Sequence, residues 1–219
     1  MILVSYKATI NDAFRDLFKN QKYEQYVFMI ISRSKVIFKG LEFRKIETQH
    51  NNEPDFMDQF GCKYDAKLLF NTEQGRIIGD RKYNIKDWFD IAMEECSSYG
   101  ELVNERDYSG IVETELYKIT KEKVESLEPD ENGLFFIPYP VSLDVRGSIF
   151  LGLTTDYLQA IYNKLVEDEI IGDRKIFFIY PSSEEGEYVL RDTNFQREYI
   201  AVPELDSFIV YETAFEIAR

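Results

Sequence analysis

Apolar and polar residues alternate in blocks along the chain, and the blocks predict a mixture of helices and strands. Asn11 is placed to cap a helix, because Ala13, Phe14, Leu17 and Phe18 recur at i, i+1, i+4 and i+5 and form a one-sided stripe ending near Asn20. In the run YEQYVFMIISRSKVIF, the block Tyr26–Ile31 fits a buried helix or a buried strand by periodicity. A helix is favoured there, followed by a strand near Val36–Phe38. The segment CKYDAKLLF, Cys62–Phe70, follows the turn residue Gly61 and reads as a strand, with Arg76–Ile78 as its hairpin partner before Gly79-Asp80. Asn84 opens the best-marked helix. Asp87 lies in its first turn, where the helix dipole favours an acid, and Ile85, Trp88, Phe89, Ala92, Met93 and Cys96 form its apolar face.

The second half reads differently. Residues 104–133 are polar and acidic, with a short helix expected after Thr120 and a loop at Glu128–Gly133. Leu134–Val141 (LFFIPYPV) is apolar but broken by Pro138 and Pro140, so it is expected as an extended edge segment. Thr154 or Thr155 opens a helix to about Glu167. Lys175–Tyr180, Glu187–Arg191, Glu198–Val202 and Phe208–Tyr211 then read as strands joined by loops of antiparallel length. The expected class is α+β, a mixed sheet flanked by helices with a strand-rich C-terminal half. A boundary near Gly110 would divide residues 1–110 from 111–219, although both stretches are compatible with one domain. The hexapeptide IIGDRK occurs at Ile77–Lys82 and Ile170–Lys175. Its flanks differ, so both copies read as Gly-Asp turns and not as a duplication.

Composition narrows the chemistry. With 219 residues, 44% hydrophobic content, 17 Phe and 15 Tyr, the chain can bury a full core. No apolar run approaches the roughly 18 residues that a membrane helix needs, and MILVSYK is too short for a signal-peptide core, so no membrane association is expected. Cys62 and Cys96 form neither a disulfide framework nor a zinc motif, which fits a reducing cytoplasm. A single histidine, His50, excludes triads and zinc sites built on imidazole and leaves carboxylates, lysines and tyrosines.

Net charge is −14, unevenly spread. Residues 1–50 carry nine basic and five acidic side chains, a net of +4, so residues 51–219 carry 17 against 35, a net of −18. That acidity disfavours duplex DNA as a ligand of the chain alone.

The stretch EPDFMDQFGCKYDAK, Glu53–Lys67, holds the chemistry. Asp65 and Lys67 are two residues apart and share one face of a strand, while Ala66 points away. Asp58–Gly61 (DQFG) is turn-prone, and folding back there brings Asp55 within reach of that face. Two carboxylates with a lysine suit divalent-cation chemistry on phosphodiesters. Pro54-Asp55, nine intervening residues and Asp65-Ala66-Lys67 before an apolar strand end resemble the PD-(D/E)xK nuclease superfamily over about residues 10–100.

The resemblance implies a restriction-endonuclease-like core, Asp55 and Asp65 as ligands of Mg2+ or Mn2+, and Lys67 orienting the attacking water. It also implies an additional acid from the preceding helix, for which Glu24 is the candidate, and packing of the Asn84 helix behind the hairpin. The implied activity is DNA cleavage, as in a nuclease component of a microbial defence or restriction complex, with a protein partner supplying the DNA-binding surface. Two other readings stand beside it: a non-catalytic interaction subunit that docks through its acidic half and Pro-broken edge, and an acidic mimic of DNA. The triplets at Asp80 and Asp173 lie in Gly-Asp turns and read as structural. No Walker, Rossmann, HExxH or GxSxG motif is present.

Overall fold

A computed structural model describes residues 2–10, 23–46, 53–69, 108–137, 155–182, 184, 186–194, 196–205 and 209–217. The expected helices at Asn11 and Asn84, the strand at Arg76–Ile78, the first IIGDRK copy, His50 and Cys96 lie outside these residues. The described elements are β1 (Ile2–Ile10), α1 (Tyr23–Arg33), β2 (Phe43–Lys45), β3 (Phe56–Asp58), β4 (Lys63–Leu68), a 3-10 turn at Ile111–Glu113, α2 (Glu115–Glu125), β5 (Glu131–Phe136), α3 (Thr155–Glu167), β6 (Ile176–Pro181), β7 (Glu187–Arg191), β8 (Arg197–Ala201) and β9 (Ile209–Ile217).

Strands β2 to β8 form one seven-stranded sheet in sequence order. Its centre is parallel, β4 to β5 to β6, and both flanks are antiparallel. The class is therefore α+β with a mixed sheet. Parallel neighbours need crossovers. The connection from β4 to β5 contains α2, and that from β5 to β6 contains α3. The two helices meet where the Tyr117 hydroxyl donates to Asp168 at 2.8 Å.

Helix α1 buries Val27, Ile30 and Ile31 along one stripe and packs against β2, β4, β5 and β7. The expected strand at Val36–Phe38 is instead a turn. Its amides are taken by a distant side chain: Glu198 on β8 accepts N–H donors from Lys35, Val36 and Ile37 and the Ser34 hydroxyl. Phe38 then reaches the core, against Phe43, Tyr64 and Phe177.

The segment expected at the sheet edge lies at its centre. Strand β5 stops at Phe136, and Pro138 and Pro140 follow it in sequence, so neither removes an N–H from the ladder. Leu134, Phe135 and Phe136 are fully buried, as befits a strand with parallel neighbours on both sides. Leu134–Ile137 is therefore no exposed edge, and Pro138–Val141, the rest of the expected docking segment, lies outside the described residues. The helix expected after Thr120 begins earlier. Thr114 caps α2 by accepting the Tyr117 N–H, and Thr120 sits mid-helix with its hydroxyl donating to the Leu116 carbonyl.

Helix α3 begins at Thr155, as the apolar stripe predicts. The last strand, β9, leaves the main sheet and pairs antiparallel with β1 over nine residues. The second IIGDRK copy forms the turn before β6, with Gly172 at φ +62°. There Arg174 donates to the carbonyls of Val124, Leu127, Ile170 and Ile171, so this triplet staples the end of α2 to the turn.

Candidate functional site

The hairpin formed by β3 and β4 is built around a three-residue loop, Gln59-Phe60-Gly61. Asp58 accepts the N–H groups of Phe60 and Cys62 through one oxygen, both at 2.9 Å, and Gly61 at φ +87° completes the turn. The Gln59 side chain clamps the tip to the preceding segment, accepting the Glu42 N–H and donating to the Gly40 carbonyl, each at 2.8 Å. Asp58 is buried and committed to this turn.

Pairing runs Met57 with Lys63 and Phe56 with Tyr64. The ladder ends there, and Asp55, the residue ahead of β3, reaches Asp65 of β4 through a side-chain hydrogen bond. The Asp55 carboxylate takes the place of a strand carbonyl, accepting the Ala66 N–H at 2.8 Å, and its own carbonyl accepts the Ile46 N–H at 3.0 Å. Asp55 is thus fixed from both sides, only 6% exposed. Asp65 and Lys67 follow on alternate positions of β4 and form an ion pair at 2.5 Å. Asp55, Asp65 and Lys67 therefore stand together, as the hairpin reading requires.

Glu24, in the first turn of α1, is also part of the surroundings. It is buried, its charge acts on Asp55, and it pairs with Lys45 of β2 at 3.2 Å. Like charges this close must be relieved. Burial pushes the Asp55 carboxyl well above the usual range, its hydrogen bond with Asp65 and the Asp65 charge push further in the same direction, the Ala66 N–H opposes, and Glu24 adds to the rise. Asp55 is therefore the member of the pair inclined to keep its proton beside the Asp65 charge. Burial, then the charges of Glu24, Asp55 and Asp65, also raises the Tyr23 phenol. Glu131 on β5 is raised by burial against the pull of the Glu128 N–H, with Asp65 raising it and Lys67 lowering it.

Among the described residues no three acidic, histidine or cysteine side chains converge as a ready-made metal cage. What stands there is two carboxylates in contact with a lysine beside them. Lys45, Tyr23 and Glu131 escape sequence reasoning because each joins the site from another element. Glu24 was reached only through the resemblance, which implies an acid from the preceding helix.

Among the described residues no helix is long and apolar enough to cross a membrane. Set against protein-family models, curated proteins and solved structures, the chain matches none.

Proposed function

We propose that Asp55, Asp65 and Lys67 form the active centre of a divalent-cation-dependent nuclease that hydrolyses phosphodiester bonds in DNA, of the PD-(D/E)xK kind. The observation that carries this reading is that Asp55, just ahead of β3, meets Asp65 of β4 through a side-chain hydrogen bond, with the Lys67 ammonium 2.5 Å from Asp65. Two carboxylates held in contact repel unless a proton or a cation lies between them. Mg2+ suits such a pair, since it binds through one or two carboxylates and completes its shell with water and substrate phosphate, and there it supplies Lewis acidity toward the phosphodiester.

The chain's own residues then have distinct tasks. Asp55, fixed by the Ala66 N–H, gives up its proton and presents an oxygen next to that of Asp65. Lys67 orients a water toward phosphorus and offsets the negative charge gathering on the phosphoryl oxygens. Hydrolysis forms one bond from the water oxygen to phosphorus, that water releasing a proton to solvent, and breaks one ester bond, the departing oxygen taking up a proton from solvent.

The test is DNA degradation in Mg2+ or Mn2+ at low salt, by the wild type and by Asp65→Ala and Lys67→Ala. The expected result is cleavage by the wild type and a loss of about 10²-fold or more in each variant, with folding retained by circular dichroism. Wild-type protein that leaves DNA intact with either ion defeats the proposal and favours a non-catalytic role.

A further inference from the structure

We propose that Arg44 and Lys63 form a phosphate-binding row that holds the nucleic-acid backbone one step away from the Asp55/Asp65 pair. The inference rests on the nuclease reading of that pair and adds the surface that would present the substrate to it. Register carries it. Arg44 pairs with Met57, and Met57 pairs with Lys63, so the three lie in one row across β2, β3 and β4. Residues paired across a sheet share a face. Asp65 follows on that face two residues along β4, about 6.8 Å away, and Asp55 meets it through a side-chain hydrogen bond.

Side-chain geometry agrees with the register. An Arg44 guanidinium nitrogen lies 3.2 Å from the Met57 sulfur, which lays the cation over the middle of the row, and Arg44 is exposed. Lys63 is bound to the Asp130 carboxylate at 2.7 Å, and the two side chains are 37% and 65% exposed. A solvated pair of this kind contributes little, so a phosphate can replace the carboxylate at small cost. Arg44 also lies on the outermost strand of this sheet among the described residues.

Charge supports the same occupant. Residues 23–46 contain five basic side chains (Arg33, Lys35, Lys39, Arg44 and Lys45) against Glu24 and Glu42, in a chain of net charge −14. Lys35 and Lys39 are exposed on the segment that leads into β2, and Gln59 ties that segment to the hairpin tip. A polyanion is the ligand such a row fits, and the phosphodiester backbone is the polyanion whose cleavage the neighbouring carboxylates would serve.

The experiment measures binding of a fluorescently labelled DNA oligonucleotide, without divalent ions, over a range of salt from low to physiological. Arg44→Ala and Lys63→Ala are compared with Lys118→Ala, which removes an exposed lysine from α2. The expected result is several-fold weaker binding for each row variant and a salt slope shallower by about one, with Lys118→Ala unchanged. In Mg2+, the row variants should need more DNA for half-maximal cleavage while keeping the wild-type rate at saturation. Lys67→Ala, by contrast, should lose rate at saturating DNA. Row variants that bind like the wild type, or a wild type without affinity at low salt, overturn the proposal. Binding that depends on the row in a protein that never cuts DNA leaves the row standing and defeats only the nuclease reading.

Discussion

Asp55 concentrates the chemical tension of the molecule in one side chain. Burial, the hydrogen bond to Asp65 and the Asp65 charge push its carboxyl up to about 8, against about 3.9 in an unfolded chain. The folded state thus keeps a proton that the unfolded state has released over that interval. Its stabilising contribution is complete below about pH 3.9 and is lost as pH rises through about 8. Glu131, raised by burial, adds a contribution of the same sign. Metal-free protein is therefore expected to melt at progressively lower temperature as pH rises toward 8. Asp55→Asn should flatten this dependence, because an amide accepts the Ala66 N–H and donates to Asp65 without titrating. Thermal melts of both proteins across this range check the claim, and parallel slopes would refute it. If the pair takes a cation as proposed, saturating Mn2+ should flatten the dependence in the same way, since a folded state that has exchanged its proton for the cation has none left to release over this interval.

At the level of elements, the site hairpin was legible because everything that specifies it is local: a turn-prone DQFG, a glycine for the left-handed position and period-two placement of Asp65 and Lys67. Helices α1 and α3 were legible for the same reason. The turn at Ser34–Phe38 was not, because VIF has strand character and its actual conformation is imposed by Glu198, more than 160 residues away. Strand β2 is three residues long and carries no alternation long enough to detect. The place of β5 in the sheet was hidden by prolines that follow the strand.

Glu198 offers a direct measure of such long-range control. Burial would raise its carboxyl, yet the Ser34 hydroxyl and the amides of Lys35, Ile37 and Val36 outweigh burial and hold it below the ordinary value. Glu198→Ala orphans those donors and is expected to cost about 3 kcal/mol, while Glu198→Gln, which keeps an acceptor oxygen, should cost about half as much. Urea denaturation midpoints distinguish the two. Equal losses would mean that the side chain acts by packing and not by accepting these bonds.

For the molecule as a whole, the question is whether residues 1–110 form a unit of their own. Charge divides the chain, with the positive excess in its first 50 residues, but hydrogen bonding joins what charge divides. Strand β4, which carries Asp65 and Lys67, pairs with β5 along its full length, from Lys63 with Glu131 to Leu68 with Phe136. Strands β1 and β9 pair over nine residues. A chain ended at Gly110 would leave β4 with an open parallel edge and its apolar neighbours, Leu134 and Phe136, missing. Such an edge is a template for aggregation and not a stable boundary. Residues 1–110 made alone are therefore expected to lack cooperative unfolding and to bind no Mn2+. Co-expression with residues 111–219 should restore both through the β4–β5 ladder. Calorimetry of the separate and combined fragments decides the matter. A cooperative transition in the isolated fragment would show that the hairpin carrying the acid pair stands without its central strand, and the site would then be portable in a way this sheet order does not predict.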